Sequence, residues 1–265
     1  MPVEIDHPSL IKVNPDSTIY RYLTLEKLEY LLRDCALYFR RCDGNPDDIF
    51  EGSIPQAEVR NRELEIKRIA SFFNNPISDS GAKQKSNNIG NLHEILRKSF
   101  VINCWHINDG ESDAMWRIYL KKEPGVAIKS TVKNLIESLN DTNKQIYLSK
   151  INYVNYDSDI YSTKKSKPYD VLTPCLTKRS EFAHENELRL IFHIPEAVKD
   201  SNYWNKSYPP DGKNILCDIN GLVNKIILCP GSDNTNVEED VKSLLVKYSF
   251  DKMLEQSKLD EMPTY

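Results

Sequence analysis

Glu185, Glu187 and Arg189 stand two residues apart in the segment Phe-Ala-His-Glu-Asn-Glu-Leu-Arg-Leu-Ile-Phe over 182–192. On a strand, residues two apart share a face, so both carboxylates and the guanidinium point one way while Leu188, Leu190 and Phe192 fill a core behind them. Two readings follow. Either the charges are ion pairs on an exposed sheet face, or they line a polar cleft in which a carboxylate does chemistry. Two carboxylates this close raise the proton affinity of one of them, which suits a base.

Other reactive groups are less ordered. Adjacent strand residues face opposite sides, so Cys104-Trp105-His106 does not converge on one ion, and the six cysteines lack the pairwise spacing of a zinc knuckle. They read mostly as buried small hydrophobes, and no metal site is expected. His106 and His184 read as structural, His184 being the stronger outside candidate because it adjoins Glu185. There is no Gly-x-Gly-x-x-Gly, no P-loop and no Gly-x-Ser-x-Gly elbow, and only nine glycines in all. A nucleotide bound here would be held by side chains.

The elements that must position these groups follow from spacing. A strand over 19–23 leads to Thr24, which caps a helix to about 33 with Leu25, Leu28, Leu31 and Leu32 on one face and a Leu23/Leu28 staple. A strand at 36–40, a turn-rich stretch at 43–52 and a charged helix from Pro55 to about 73 come next. Residues 77–90 are poor in apolar side chains and read as a loop or lid. A helix from 91, a strand at 99–105, a helix at 113–120 capped by Ser112, a strand at 125–129, a helix at 131–139 and a long strand at 145–156 continue the pattern. A lysine-rich loop at 157–168 precedes the charged strand. An irregular loop at 199–214, strands at 215–219 and 223–229, and a last helix to about 250 with an Asn236/Glu239 capping box complete it. The polar residues 251–265 read as a fraying tail.

At 265 residues and 40% hydrophobic the chain can bury a full core, and one domain over 1–250 is expected. A net charge of −4 argues against a protein devoted to duplex backbones, which needs a basic stripe. The N-terminus lacks a signal-peptide pattern, no run approaches a membrane span, and the chain reads as soluble and cytoplasmic. Interspersed strands and helices without regular alternation predict an α+β class with a mainly antiparallel, split sheet flanked by helices.

In order, Tyr20-Arg21-Tyr22-Leu23 before a leucine-rich helix, Asn45-Pro46-Asp47-Asp48-Ile49-Phe50-Glu51, Asn103-Cys104-Trp105-His106, Met115-Trp116 with Tyr119, and Glu185-x-Glu187-x-Arg189 run through the chain. From about residue 18 to 250 this order resembles the bacterial family of domain of unknown function 2971. The chain departs from the family's usual Asn-Asp-Pro-Phe-Glu turn, and carries Trp105-His106 where Phe-Ser is usual.

That family is similar, more distantly, to the ADP-ribosyltransferase fold, and the resemblance implies an NAD-consuming transferase. It implies that Glu187 stabilises the oxocarbenium-like ribose formed as nicotinamide leaves, and that Glu185 orients the acceptor or takes its proton. Arg21 is implied to hold the pyrophosphate, its fork matching phosphate oxygens; otherwise it is a solvated strand-end arginine. Tyr22, Trp105, His106, Trp116, Tyr119 and Arg189 complete the implied NAD site, with the rings stacking on nicotinamide or adenine. Trp116 and Tyr119 also fit the core of an amphipathic helix. The implied partners are a macromolecular acceptor, protein or nucleic acid, and an antitoxin, as for toxin–antitoxin or phage-defence effectors. Two alternatives stand beside this: a nucleotide-binding or sensing module without turnover, and a magnesium-dependent nuclease using Glu185, Glu187 and Asp47.

Overall fold

A computed structural model describes residues 2–140, 143–160, 171–200, 202–207, 209–232 and 236–264. Among the described residues twelve strands are formed: β1 Val3–Glu4, β2 Thr18–Thr24, β3 Ala36–Arg41, β4 Phe100–Ile107, β5 Gly125–Thr131, β6 Ile146–Lys150, β7 Asn152–Val154, β8 Thr177–Arg179, β9 Glu187–His193, β10 Gly212–Leu216, β11 Lys225–Leu228 and β12 Met253–Glu255. Ten of them make one open sheet, eight in the order β1-β6-β9-β4-β2-β5-β11-β12 with β3 branching from β4 and β10 pairing with β3, while β7 and β8 pair separately. Neighbours in the large sheet run antiparallel except β1 with β6 and β11 with β12. The class is therefore α+β with a large, mostly antiparallel sheet.

The sheet forks along one edge of β4. Its end at Ile107 and His106 pairs with β2, and its start at Val101 and Ile102 pairs with β3. Between them the backbone of 103–105 has no strand on that side, and side chains take over. Asn103 Nδ2 donates to the Tyr38 carbonyl at 2.9 Å, and Arg21 Nη1 reaches the Cys104 carbonyl at 3.4 Å. Trp105 Nε1 donates to Asn103 Oδ1 at 2.8 Å, and the Arg21 guanidinium carbon lies 5.8 Å from the Trp105 ring centre.

Directly paired residues share a face. Ile19 pairs with Ile107 and Trp105 with Leu188, and these four pack in the main core with Leu28, Leu32, Leu135 and Val241 from three helices. The first of these helices, α1 Leu25–Asp34, starts where expected, with Thr24 accepting from Lys27 N. The opposite face carries Tyr20, His106, Glu187, Cys104 and Arg189.

Several boundaries differ from the expectation. Helix α2 Gln56–Phe72 forms as read, but residues 77–90 are not a loop: α3 spans Asp79–Ser99, capped by Ser78, whose Oγ accepts from Gly81 N at 3.1 Å. Its buried residues are the small Ala82, Ser86 and Ser99, so it packs without a strong apolar stripe. The strand expected at 145–156 breaks at Ile151 into β6 and β7, which belong to different sheets. Residues 215–219 end β10 early, and Asp218 caps a helical turn at Ile219–Leu222. The irregular loop at 199–214 includes a helical turn at Tyr203–Lys206. Asn236 precedes the helix Val237–Lys247 without a side-chain cap bond, so the capping box is not made. The tail does not fray: β12 pairs with β11, Lys225 bonds Glu255, and Asp260 accepts from Gly231 N. Of the lysine-rich loop at 157–168, residues from 161 lie outside the described ones. The cysteines are free, and only Cys42 and Cys175 are fully buried, against the expectation for most of the six.

Candidate functional site

Glu187 opens β9, and its backbone N–H donates to the Tyr153 hydroxyl at 2.9 Å. Arg189, two residues on, turns back along the same face and grips it: Nε reaches Glu187 Oε1 at 2.7 Å and Nη2 reaches Oε2 at 3.0 Å. The same guanidinium donates to the Cys175 carbonyl at 2.6 Å and to Glu51. Arg189 is 0% and Glu187 3% exposed, so the exposed-face reading of the charges is wrong. Alternation puts Glu187 and Arg189 together, as expected.

Glu185 arrives differently. It is not on the strand: Ser180–Glu185 form a 3-10 helix, and Asn186 leaves it in the left-handed region at φ 37°, held by its Nδ2 on the Ile107 carbonyl at 2.6 Å. Asparagine tolerates that conformation because its side chain finds a local partner. The period-two argument for Glu185 therefore fails, yet its carboxylate still meets Glu187 through Lys178 on β8. Lys178 Nζ lies 2.6 Å from Glu185, 3.4 Å from Glu187 and 3.9 Å from Glu51.

Sequence reasoning missed Glu51, Lys178 and Tyr153 as members of this cluster. Glu51 is delivered by the turn after Asn45, whose Nδ2 donates to Glu51 Oε2 at 2.6 Å. Gly52 follows at φ 70°, where a Cβ would come within 2.5 Å of Cys42 Sγ, so only glycine lets the turn close. Charge balance was the available signal: acids this close in a buried strand demand cations.

The electrostatics separate the two glutamates. Burial alone would raise the Glu187 carboxyl, but Arg189 and Lys178 overcome it and pull it down to about 2. Glu185 goes the other way: burial raises it, Lys178 opposes, and Glu187 adds to the rise. Burial would lower Lys178 and Arg189, but the facing carboxylates hold both above their ordinary values. Glu51, Glu185 and Glu187 face Lys178 and Arg189, and Arg40 lies 4.0 Å from Glu51, so three carboxylates meet three cations.

Around this charge stands part of the expected ring wall. His106 Nδ1 donates to the Glu185 carbonyl at 2.6 Å, and burial, with His184, lowers the imidazole below its ordinary value, keeping it neutral. Tyr22 lies 6.5 Å from His106 and 6.2 Å, stacked, from Tyr119. Tyr119 is 38% exposed, and its hydroxyl is raised by burial, then by Glu185 and Glu187. Trp116 packs edge-on to Tyr22 at 4.8 Å with Nε1 on Glu111 at 3.0 Å, buried in the core under the helix Asp113–Leu120.

Arg21 and Trp105 are not brought to this site. Arg21 pairs with Ile128 and Trp105 with Leu188, both main-core residues, so the two side chains emerge opposite Glu187 and plug the fork. Asp47 pairs with Lys121 at 3.2 Å instead of facing the glutamates. Among the described residues no group of three His, Cys, Asp or Glu is placed to hold a metal ion, Lys178 and Arg189 standing between the carboxylates. No helix among them is long and apolar enough to cross a membrane.

Residues 115–190 match the family model described as Protein of unknown function (DUF2971), which supports the family resemblance in the sequence. The matched stretch holds Trp116, Tyr119, Lys178, Glu185, Glu187 and Arg189, and ends before β9 does. No curated protein and no solved structure matches the chain.

Proposed function

We propose that the chain is an NAD-consuming enzyme of the ADP-ribosyltransferase type, moving ADP-ribose to a macromolecule or to water. One observation carries the reading: Glu187 is held ionised beside Glu185, whose proton affinity is raised, on a face bordered by Tyr22, His106 and Tyr119. As nicotinamide leaves, positive charge builds at the anomeric carbon, and a fixed, ionised carboxylate favours that state over the ground state. Glu185 is suited to take the acceptor's proton. The rings offer flat surface to the leaving base.

A second reading, a ligand-binding module without turnover, is favoured by the full occupation of Glu187: Oε1 by Arg189, Oε2 by Arg189 and Lys178. Nicotinamide release from NAD, with and without cell lysate, separates the two. Glu187→Gln is expected to lower release roughly 10²-fold or more, the scale of losing a preorganised charge, with the folded fraction followed by circular dichroism. Glu185→Gln should slow transfer to an acceptor more than hydrolysis. Wild-type protein that binds NAD without releasing nicotinamide would establish the module, and undiminished release by Glu187→Gln would make its charge purely structural.

A further inference from the structure

At the fork between β2 and β3, cations gather that no carboxylate matches fully. Arg21 of β2 reaches the Cys104 carbonyl at 3.4 Å, its one hydrogen bond, and the remaining donors of the guanidinium have no partner among the described residues. Burial lowers this guanidinium below its ordinary value, and the groups that act on it next are Cys104, Tyr119 and Cys217. Burial pushes both thiols and the hydroxyl up, Cys217 to about 12, so none of the three carries negative charge at neutral pH. The other neighbour, Arg40 of β3, is itself a cation and opposes the Arg21 charge. Lys27, exposed in the first turn of α1, adds a third. Burial, then Arg21 and Arg40, lower its ammonium, and Glu123 and Glu26 act on it less than the two arginines do. Of the three cations only Arg40 forms an ion pair among the described residues, with Glu51 at 4.0 Å.

We infer that this fork is a binding site for a phosphate group, carried free or as a monoester. A guanidinium drawn out of water with one neutral bond is costly until an anion completes it. The cations come from β2, β3 and α1, so they converge from three elements on one opening. A tetrahedral oxyanion accepts from several directions at once, whereas a planar carboxylate is filled by one guanidinium fork. The Trp105 ring, 5.8 Å from the Arg21 guanidinium carbon, holds the cation at the opening.

The place is distinct from the glutamate cluster. Arg21 pairs with Ile128 of the main core, whereas Glu187 pairs with His106 on the opposite face. Lys178 and Arg189 are taken up by their own carboxylates. The phosphate site therefore goes beyond the NAD reading and stands without it.

Calorimetric titration and thermal melting of the full chain without NAD test the site, with inorganic phosphate, with adenosine monophosphate, and with chloride at equal ionic strength. Phosphate or the monoester should bind saturably and raise the melting temperature, and chloride should do neither. Tighter binding of the monoester would identify the ligand as a phosphorylated small molecule, and tighter binding of inorganic phosphate would identify it as the free ion. Arg21→Met should weaken binding roughly 10-fold or more, the scale of a lost hydrogen bond to a charged group. Without phosphate it should melt no lower than wild type, because it exchanges an unmatched charge for an apolar side chain of similar length. Lys27→Met, at an exposed position, should fold normally and weaken binding about two- to fivefold. No saturable binding beyond the chloride control, or wild-type affinity in Arg21→Met, would overturn the site. If Arg21→Met melts well below wild type, Lys27→Met decides, and unchanged phosphate affinity there would leave Arg21 a structural plug.

Discussion

Arg189 is bonded into the lysine-bridged glutamates and Arg179 follows that lysine in the chain, and they are built to opposite specifications. Arg189 is sealed, with donors spent on Glu187, Glu51 and the Cys175 carbonyl. Arg179 keeps one ion pair, with Asp48, and its side chain is 30% exposed, with its guanidinium carbon 4.7 Å and 5.2 Å from the Phe50 and Phe182 ring centres. An enclosed charge must be matched completely, because desolvation is repaid only by full hydrogen bonding. Matching Arg189 draws in partners from the turn at Glu51, the segment at Cys175 and β9, so it welds three distant stretches. A partly exposed guanidinium makes no such demand, because water can complete its hydrogen bonding.

The largest effect expected from this contrast is at Arg189. Arg189→Met would leave Glu51 and Glu187 buried with only Lys178 between them. The loss should be about 3–5 kcal/mol, the scale for stripping one partner from a buried pair, measured by urea unfolding. A loss under about 1 kcal/mol would mean that water already reaches the network, and the contrast with Arg179 would disappear.

Acid unfolding sharpens the comparison within the network. Glu187 has its folded value pulled from 4.5 to about 2. It therefore adds stability that is complete above 4.5 and is lost as pH falls towards about 2. Glu185 is raised in the folded state, so it is favoured protonated and subtracts stability as pH rises from 4.5 through its raised value. Unfolding free energies at stepped pH in Glu187→Gln should show a shallower acid-side loss than wild type. Glu185→Gln should lack the decline on the other side. Identical slopes in all three proteins would show that neither carboxylate is held as the geometry requires.

What the sequence discloses here depends on whether the signal is local. Glu187 and Arg189 are two residues apart on one strand, and alternation suffices to pair them. Glu51 lies 138 residues from Arg189, and no periodicity links them. The family resemblance places Arg21 and Trp105 at the site. Which face they share with Glu187 is fixed by the cross-strand register that sets His106 opposite it, and a parity of one residue reverses the answer. Helix α3 was hidden because an outlying helix packed through Ala82 and Ser86 needs little apolar pattern. The C-terminal strand was hidden because three residues, Met253–Glu255, are too few to show alternation.

The smallest expected effect is the most discriminating. Arg179→Lys keeps a cation for Asp48 and gives up only the plane, and the Arg179 side chain is 30% exposed. Half-open ion pairs contribute little, so stability should move by less than about 1 kcal/mol. Arg189→Lys makes the same chemical change where the plane is needed for bonds: one ammonium cannot replace both contacts to Glu187 while holding Glu51 and the Cys175 carbonyl. It should therefore cost several-fold more stability than Arg179→Lys. Measured side by side by urea unfolding, equal stability losses would show that Arg179 is enclosed after all.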